Sequence, residues 1–203
     1  MQDPNPQVVG SGLAFLKAHH IEVACGLMEA QARDLNPGFI SRMTRQLPFL
    51  RSKIAASLDG KTALNNSVSK WITGEPARID VQHWRARSCA ILTGVGTVLA
   101  DNPSMTVRNI DTDRQPLKVI VDSQLSISPK AKILQNGNVL IAFAETNSEK
   151  EDGLLSAGAE LICIPNMDGK VCLKTLLSHL ASREINEVLC EGCLLYTSPS
   201  PRD

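Results

Sequence analysis

The spacing of apolar positions changes character near Pro48. Before it, Val9, Leu13 and Leu16 recur four and three residues apart and predict a helix over residues 8–19. "IEVACG" (21–26) alternates and stops at Gly26, as a short strand does. "LMEAQARDLNPGFISRMTRQ" is helical up to Asn36, where Pro37 disfavours helical geometry in the residue before it, and a second short helix follows. This opening stretch reads as α-β-α. One strand cannot make a sheet, so the stretch is expected to be the tail of a domain.

After Pro48 the pattern is that of strands alternating with helices. "PFLRSKIAASL" alternates as a strand. "EPARIDVQHWRARS" carries helix signals: Thr73 or Gly74 as cap, Glu75 in the first turn, Pro76 near the start. Ala77, Val81 and Trp84 give it an apolar stripe. "CAILTG" (89–94), "PLKVIVDS" (116–123), "NVLIAFAE" (138–145), "AELICIP" (159–165) and "EVLCEG" (187–192) are buried strands, and "VCLKTLLSHLASREI" (171–185) is an amphipathic helix. "SEKEDG" (148–153) is a solvated loop or a helix start. The alternation indicates an α/β sheet.

Composition narrows the function little. Of 203 residues, 43% are apolar and 21% charged, and Lys plus Arg equals Asp plus Glu. Zero formal charge favours neither nucleic acid nor an anionic membrane as partner. No apolar run reaches the roughly 18 residues of a membrane span, and "MQDPNPQVVG" is not patterned as a signal peptide. Most of the six cysteines sit in or beside apolar segments, as small core residues do in a reducing, cytoplasmic compartment. Cys190 and Cys193 form a lone C-x-x-C with no second pair and no nearby His, so no metal site is expected.

Three segments could carry chemistry. In "KIAASLDGKTA" (53–63), Lys53 and Asp59 bracket a Leu-Asp-Gly turn; the plain alternative is a hairpin with a solvated Lys. In "LTGVGTVLADNPSMTVR" (92–108), Gly94 and Gly96 let backbone amides approach an anion ahead of a short helix. The alternative there is an ordinary strand-to-helix turn, because G-x-G without a third Gly is weak. On residues 75–88, Arg78 and Arg85 share a helix face that can grip a phosphate or simply form a solvated rim.

The residues themselves carry a resemblance. "MQDPNPQVVGSGLAFLKAHHIEVACGLMEAQARDLNPGFISRM" resembles the end of the deaminase domain of the bifunctional riboflavin-biosynthesis deaminase/reductases, the RibD family. "SLDGKTA", "SKWIT", "TVLADNPSMTVR", "KVIVDSQL" and "VLCEG" are similar, in order, to its reductase domain. The resemblance implies a dihydrofolate-reductase-like α/β domain at 47–192, preceded by the last α-β-α piece of a cytidine-deaminase-like domain at 1–46. It implies NADPH as cofactor, a phosphoribosylamino-pyrimidine as substrate, and a homodimer. Position by position it assigns Ala55, Trp71, Thr97, Asp101 and Ser123 to the cofactor, and Ser69, Arg85, Met105, Arg108 and Glu191 to the substrate. Glu191, Lys53 and Asp59 are then the ionisable candidates for proton supply or orientation. A non-catalytic nucleotide-binding module of the same fold is the alternative.

Three departures from the family qualify this. Ser67-Val68 stands where the family has Gly-Glu, ahead of a retained Ser69. The zinc motifs of the deaminase are expected upstream of Met1, so zinc and deaminase activity are not expected here. "CLLYTSPSPRD" (193–203) matches nothing in the family and is similar to a read-through sequencing adapter. The family would instead continue from Glu191 into glycines that approach the cofactor phosphates. With Leu194 and Leu195 there, the expectation is a truncated, inactive reductase that binds NADPH weakly. Val188 and Leu189 should then lie on an incompletely covered sheet edge, and the tail from about Tyr196 should be disordered.

Overall fold

The computed structural model describes residues 1–62 and 72–192. Ser69, Trp71, the loop at 67–69 and the tail from Cys193 therefore lie outside the described residues. The contacts divide the chain into two compact units, Met1–Phe49 with Leu177–Glu187, and Leu50–Leu176 with Val188–Asp203.

The first unit contains α1 (Ser11–Ala18), α2 (Glu29–Leu35) and α3 (Pro37–Arg45). Pro37 opens α3 and Asn36 caps the break, as the Asn-Pro pair predicts. Gly38 is required by close approach: a Cβ there would lie 2.9 Å from the carbonyl oxygen of Asn186. The same Asn186 accepts a side-chain bond from Arg42 Nε at 2.6 Å, and its carbonyl accepts from Phe49 N at 2.8 Å. The strand expected over 21–26 is absent: these residues have no regular structure, and Ile21 is half exposed. Alternation alone does not make a strand where no partner edge is offered.

The second unit is built on a six-stranded sheet with β1 (Phe49–Lys53) and β6 (Glu187–Glu191) beside β2 (Ala90–Gly94), then β3 (Leu117–Val121), β4 (Val139–Phe143) and β5 (Glu160–Cys163), in the order β1-β6-β2-β3-β4-β5. β2 pairs in parallel with both β6 and β3, and the parallel ladder continues through β4 to β5. Central strands of such a sheet are covered on both faces and read as unbroken apolar runs; every residue of β4 is buried. Crossovers are made by α4 (Glu75–Arg87), α5 (Val95–Asp101), α6 (Ser148–Ser156) and α7 (Leu173–Ser182). The 148–153 segment resolves as the start of α6: Asn147 Oδ1 accepts from Lys150 N, and Glu151 reaches back to Asn147 N at 2.8 Å.

One expectation changes at this level. β6 does not close an uncovered edge. It lies inside the sheet between β1 and β2, with Val188 0% and Leu189 1% exposed. After β1 ends at Lys53 a tight turn follows in which Gly60 N donates to Ser57 O and Ser57 N to Lys61 O, and the return arm of the hairpin alternative for 53–63 runs outside the described residues. Gly60 sits at φ +78°, the conformation glycine adopts at no steric cost.

Side chains on one sheet face fall into rows. Leu189, Ile91, Lys118 and Val139 are level across β6, β2, β3 and β4. Two residues further along each strand, Thr93, Ile120 and Ile141 are level, and Glu191 continues that row on β6. Ile91, Ile120, Ile141 and Met105 belong to the main hydrophobic core. The polar residues at the head of the second row mark where the core ends and the candidate site begins.

Candidate active site

Open parallel sheets bind ligands outside the carboxyl ends of their strands, and Glu191 is the last residue of β6. It is only 4% exposed, and Arg85, from the last turn of α4, is 9% exposed. The two are locked together: Arg85 Nε donates to Glu191 Oε1 at 2.6 Å and Nη2 to Oε2 at 2.9 Å. Arg85 Nη1 also donates to the Thr106 carbonyl at 3.1 Å, and Nη2 lies 3.8 Å from Met105 Sδ. Lys53, where β1 ends, brings its ammonium to 3.9 Å from Glu191 Oε2. Ion pairs this buried persist only with good geometry and further hydrogen bonds; the fork-to-carboxylate arrangement provides both.

The loop that supplies Met105 and Thr106 is fastened to the sheet. Gln115 grips Val107 at both backbone atoms, its Oε1 accepting from Val107 N at 2.8 Å and its Nε2 donating to Val107 O at 3.2 Å. Gln82 Oε1 accepts from Arg108 N at 3.0 Å. Met105 itself is buried at φ +51°, an unusual backbone for a non-glycine residue, which this double anchorage holds in place. The Arg108 side chain is exposed, and its guanidinium makes no bond to the described residues.

A cleft of about 370 Å³ opens beside Lys53. Ala55, Thr73 and Leu189 line it together with the α4 stripe of Ala77, Val81 and Trp84. Arg51 stacks its guanidinium 4.5 Å over the Trp84 ring on the same wall. A second cleft of about 460 Å³ lies at the ends of β3 and β4, with Val95, Ser123, Gln124, Glu145 and Lys170 among its lining residues. The Ser123 hydroxyl accepts from Val171 N at 3.2 Å.

The structure thus joins four of the expected residues, Lys53, Arg85, Met105 and Glu191, by direct contact. Ala55 lines the cleft that Lys53 also lines. Ser123 lines the second cleft, while Thr97 and Asp101 sit on α5 between a half-buried and an exposed position. Asp59 is not brought to Glu191. It sits on the exposed 57–61 turn, where a hydrogen bond from the Ser57 hydroxyl holds its carboxyl below the ordinary value. Arg78 donates to the Thr73 carbonyl at 2.7 Å, within its own helix start. Burial, and then the nearby Glu191 carboxylate, push the Cys190 thiol up, which makes a reactive thiolate there less accessible.

Neither Gly94 nor Gly96 has a positive φ, and a Cβ at either would meet nothing within 4 Å. Among the described residues the space beside both glycines at the β2–α5 turn is open.

Sequence analysis missed the residues that fasten the site: Gln82, Gln115, the Thr106 carbonyl and the Arg51–Trp84 stack. Each contact joins residues far apart in sequence, and no local spacing signals it.

A parallel α/β domain with a buried arginine–carboxylate pair at the end of β6, a cleft beside Lys53 and a second at the ends of β3 and β4 defines the class of the fold. Comparison with known proteins makes it particular. Residues 48–195 match the family described as the RibD C-terminal domain, and the chain belongs to that family. It is 39% identical over 204 residues to the riboflavin biosynthesis protein RibD of Escherichia coli K12, covering 95% of this chain and 55% of that protein. It is 40% identical over 195 residues to that of Bacillus amyloliquefaciens, covering 95% and 52%. Among solved structures it is similar to Acinetobacter baumannii RibD, with a TM-score of 0.78 and 42% identity over 94% of this chain and 52% of that one. It is also similar to a Thermotoga maritima diaminohydroxyphosphoribosylaminopyrimidine deaminase/5-amino-6-(5-phosphoribosylamino)uracil reductase, with a TM-score of 0.75 and 33% identity over 94% and 51%. The chain spans about half the length of the curated relatives it matches. Among the described residues no helix is long and apolar enough to cross a membrane.

Proposed function

We propose that this chain carries the reductase half of a riboflavin-biosynthesis enzyme. The reaction is the reduction of 5-amino-6-(5-phosphoribosylamino)uracil to its 5-phosphoribitylamino product with NADPH. The observation that supports it best is the buried Arg85–Glu191 pair at the end of β6, inside the segment that matches the family. The Thermotoga maritima neighbour is named as a reductase of the same substrate.

NADPH, when bound, supplies a hydride for the sugar C1, and a proton must reach the oxygen released as the ring opens. The chain's own residues do the positioning. Glu191 is an acceptor-only carboxylate whose direction is fixed by two Arg85 donors, so it suits hydroxyl groups of a bound sugar. Lys53 is the candidate nearest to it that can give a proton, and it faces an open cleft. Arg85 spends three of its five N–H groups on Glu191 and the Thr106 carbonyl, so the substrate's phosphate is assigned to Arg108, whose side chain is exposed. Gly94, Gly96, Thr97 and Asp101 would hold the cofactor along the β2–α5 turn, and Ala55 and Ser123 along the two clefts.

The test is NADPH oxidation by the full-length protein carrying this sequence, on adding the pyrimidine substrate. Substrate-dependent loss of NADPH absorbance, abolished in Glu191→Gln, is the expected result. Tight NADPH binding with no turnover would leave the non-catalytic module as the better reading.

A further inference from the structure

Thr93 is the penultimate residue of β2, and its side chain is 2% exposed. Its hydroxyl has no hydrogen-bond partner among the described residues. A buried hydroxyl left unpaired is costly, and a valine of the same shape would avoid that cost. The row it occupies contains Ile120 on one side and Glu191 on the other, at the roughly 4.8 Å spacing of neighbouring strands. Continuing the register one residue past Leu92 and Cys190 makes Thr93 and Glu191 neighbours on adjacent strands, with side chains on the same face of the sheet and no hydrogen bond between them.

We propose that Thr93 is a ligand-contacting residue whose hydroxyl, together with Glu191 and Arg85, reads a vicinal diol of a bound phosphosugar. This rests on the reading of the Glu191 edge as the substrate site and adds a residue that the family resemblance did not assign. The donor and acceptor inventory fits. A carboxylate offers about four acceptor positions, and Arg85 fills two of those on Glu191. Arg85 has five N–H groups, of which three are used on oxygen atoms. What remains is acceptor capacity on Glu191, donor capacity on Arg85, and one hydroxyl on Thr93 that can do either. Two adjacent sugar hydroxyls, each donating once and accepting once, are complementary to that set. A phosphate dianion, with no donor of its own, would leave the Glu191 acceptors unused.

The experiment uses the full-length protein with Thr93→Val and Thr93→Ser. Thermal melts are recorded with and without ribose 5-phosphate, alongside KM for the pyrimidine substrate and for NADPH. The expected result is that Thr93→Val melts at or above the wild-type temperature without ligand, and loses the rise induced by ribose 5-phosphate. Its substrate KM should rise roughly three- to tenfold, the worth of one hydrogen bond, with NADPH KM unchanged. Thr93→Ser should restore both. Equal ribose 5-phosphate shifts in all three proteins would overturn the proposal, as would a wild-type protein that shows no shift. A rise in NADPH KM instead would mean that the hydroxyl faces the cofactor. Failure of Thr93→Val to fold would mean a structural partner for the hydroxyl, and the inference falls. If the wild type oxidises no NADPH yet keeps a Thr93-dependent shift, the proposed reaction fails while the diol site stands.

Discussion

Two cations are buried on the same face of this sheet, one row apart, and they are satisfied in opposite ways. Arg85 reaches the strand ends and pairs bidentately with Glu191. Lys118 sits in the row below, 3% exposed, and meets no carboxylate among the described residues. Its ammonium instead donates to the carbonyls of Ile133 at 2.7 Å and Gln135 at 3.0 Å, around the short 3-10 turn Lys132–Leu134. Carbonyl dipoles only partly replace lost hydration, and burial lowers the Lys118 pKa from its ordinary 10.5. The difference separates scaffold from site. A cation that only has to close a turn can be served by backbone. The cation at the end of β6 is set against a carboxylate, with both guanidinium and carboxylate held in a two-bond fork.

The largest expected effects break the Arg85–Glu191 pair. Removing one partner leaves the other charge buried, and Glu191→Ala or Arg85→Ala should each cost about 3–5 kcal/mol of stability. Replacing both, with Arg85→Met and Glu191→Leu together, should cost less than the two single changes summed. All three proteins should lose NADPH oxidation. Urea melts of the four proteins check the cycle. Additive costs would show that the two side chains act independently and would remove the contrast with Lys118.

Next in size is Arg108, the guanidinium that the structure leaves exposed. Arg108→Ala should raise the substrate KM by the worth of a charged hydrogen bond, about 1.5–3 kcal/mol or ten- to a hundredfold, with the melt unchanged. NADPH KM should stay as it was. If both KM values rise equally, the phosphate contact has been given to the wrong ligand.

Most of the scaffold was legible because it is written in local patterns. The apolar runs of β2 to β6, the Gly74-Glu75-Pro76 start of α4 and the Asn36-Pro37 break all appear where spacing puts them, but β5, expected as a buried strand, lies at the sheet edge with none of its residues buried. The strand expected at 21–26 failed because alternation is local and pairing is not. Strand order was equally hidden: nothing in "EVLCEG" says that it inserts between β1 and β2, so its edge placement was wrong. In the site, Glu191 and Arg85 were reached through the family resemblance, since 106 residues separate them and no spacing rule joins such a pair. Lys118 was read only as part of a buried strand; its burial without an acid depends on a turn that forms later in the chain. Thr93 gave no signal at all, because an unpaired hydroxyl can be recognised only once its neighbours are placed.

The smallest effects appear in alkaline solution, where Lys118 and Cys190 respond with opposite sign. The folded-state pKa of Lys118 lies below its unfolded value of 10.5. Between the two, the unfolded chain holds a proton that the folded chain has released, so stability rises with pH across that window. Cys190, on β6 beside Glu191, is raised above its ordinary 9.0. From 9.0 up to its folded value the folded chain keeps a proton that the unfolded chain has lost, so stability falls with pH there. In the wild type the two trends oppose each other. Lys118→Met removes the rising one and also leaves the Ile133 and Gln135 carbonyls without their donor, a cost of about 1–3 kcal/mol. Its urea midpoint, followed from about pH 8 to about pH 11, should start lower and fall more steeply than the wild type's, with KM values unchanged. Cys190→Ala should fall less steeply. A Lys118→Met protein whose midpoint runs parallel to the wild type's would mean that the lysine is hydrated in the fold. The contrast between a carbonyl-served and a carboxylate-served cation would then be one of position alone.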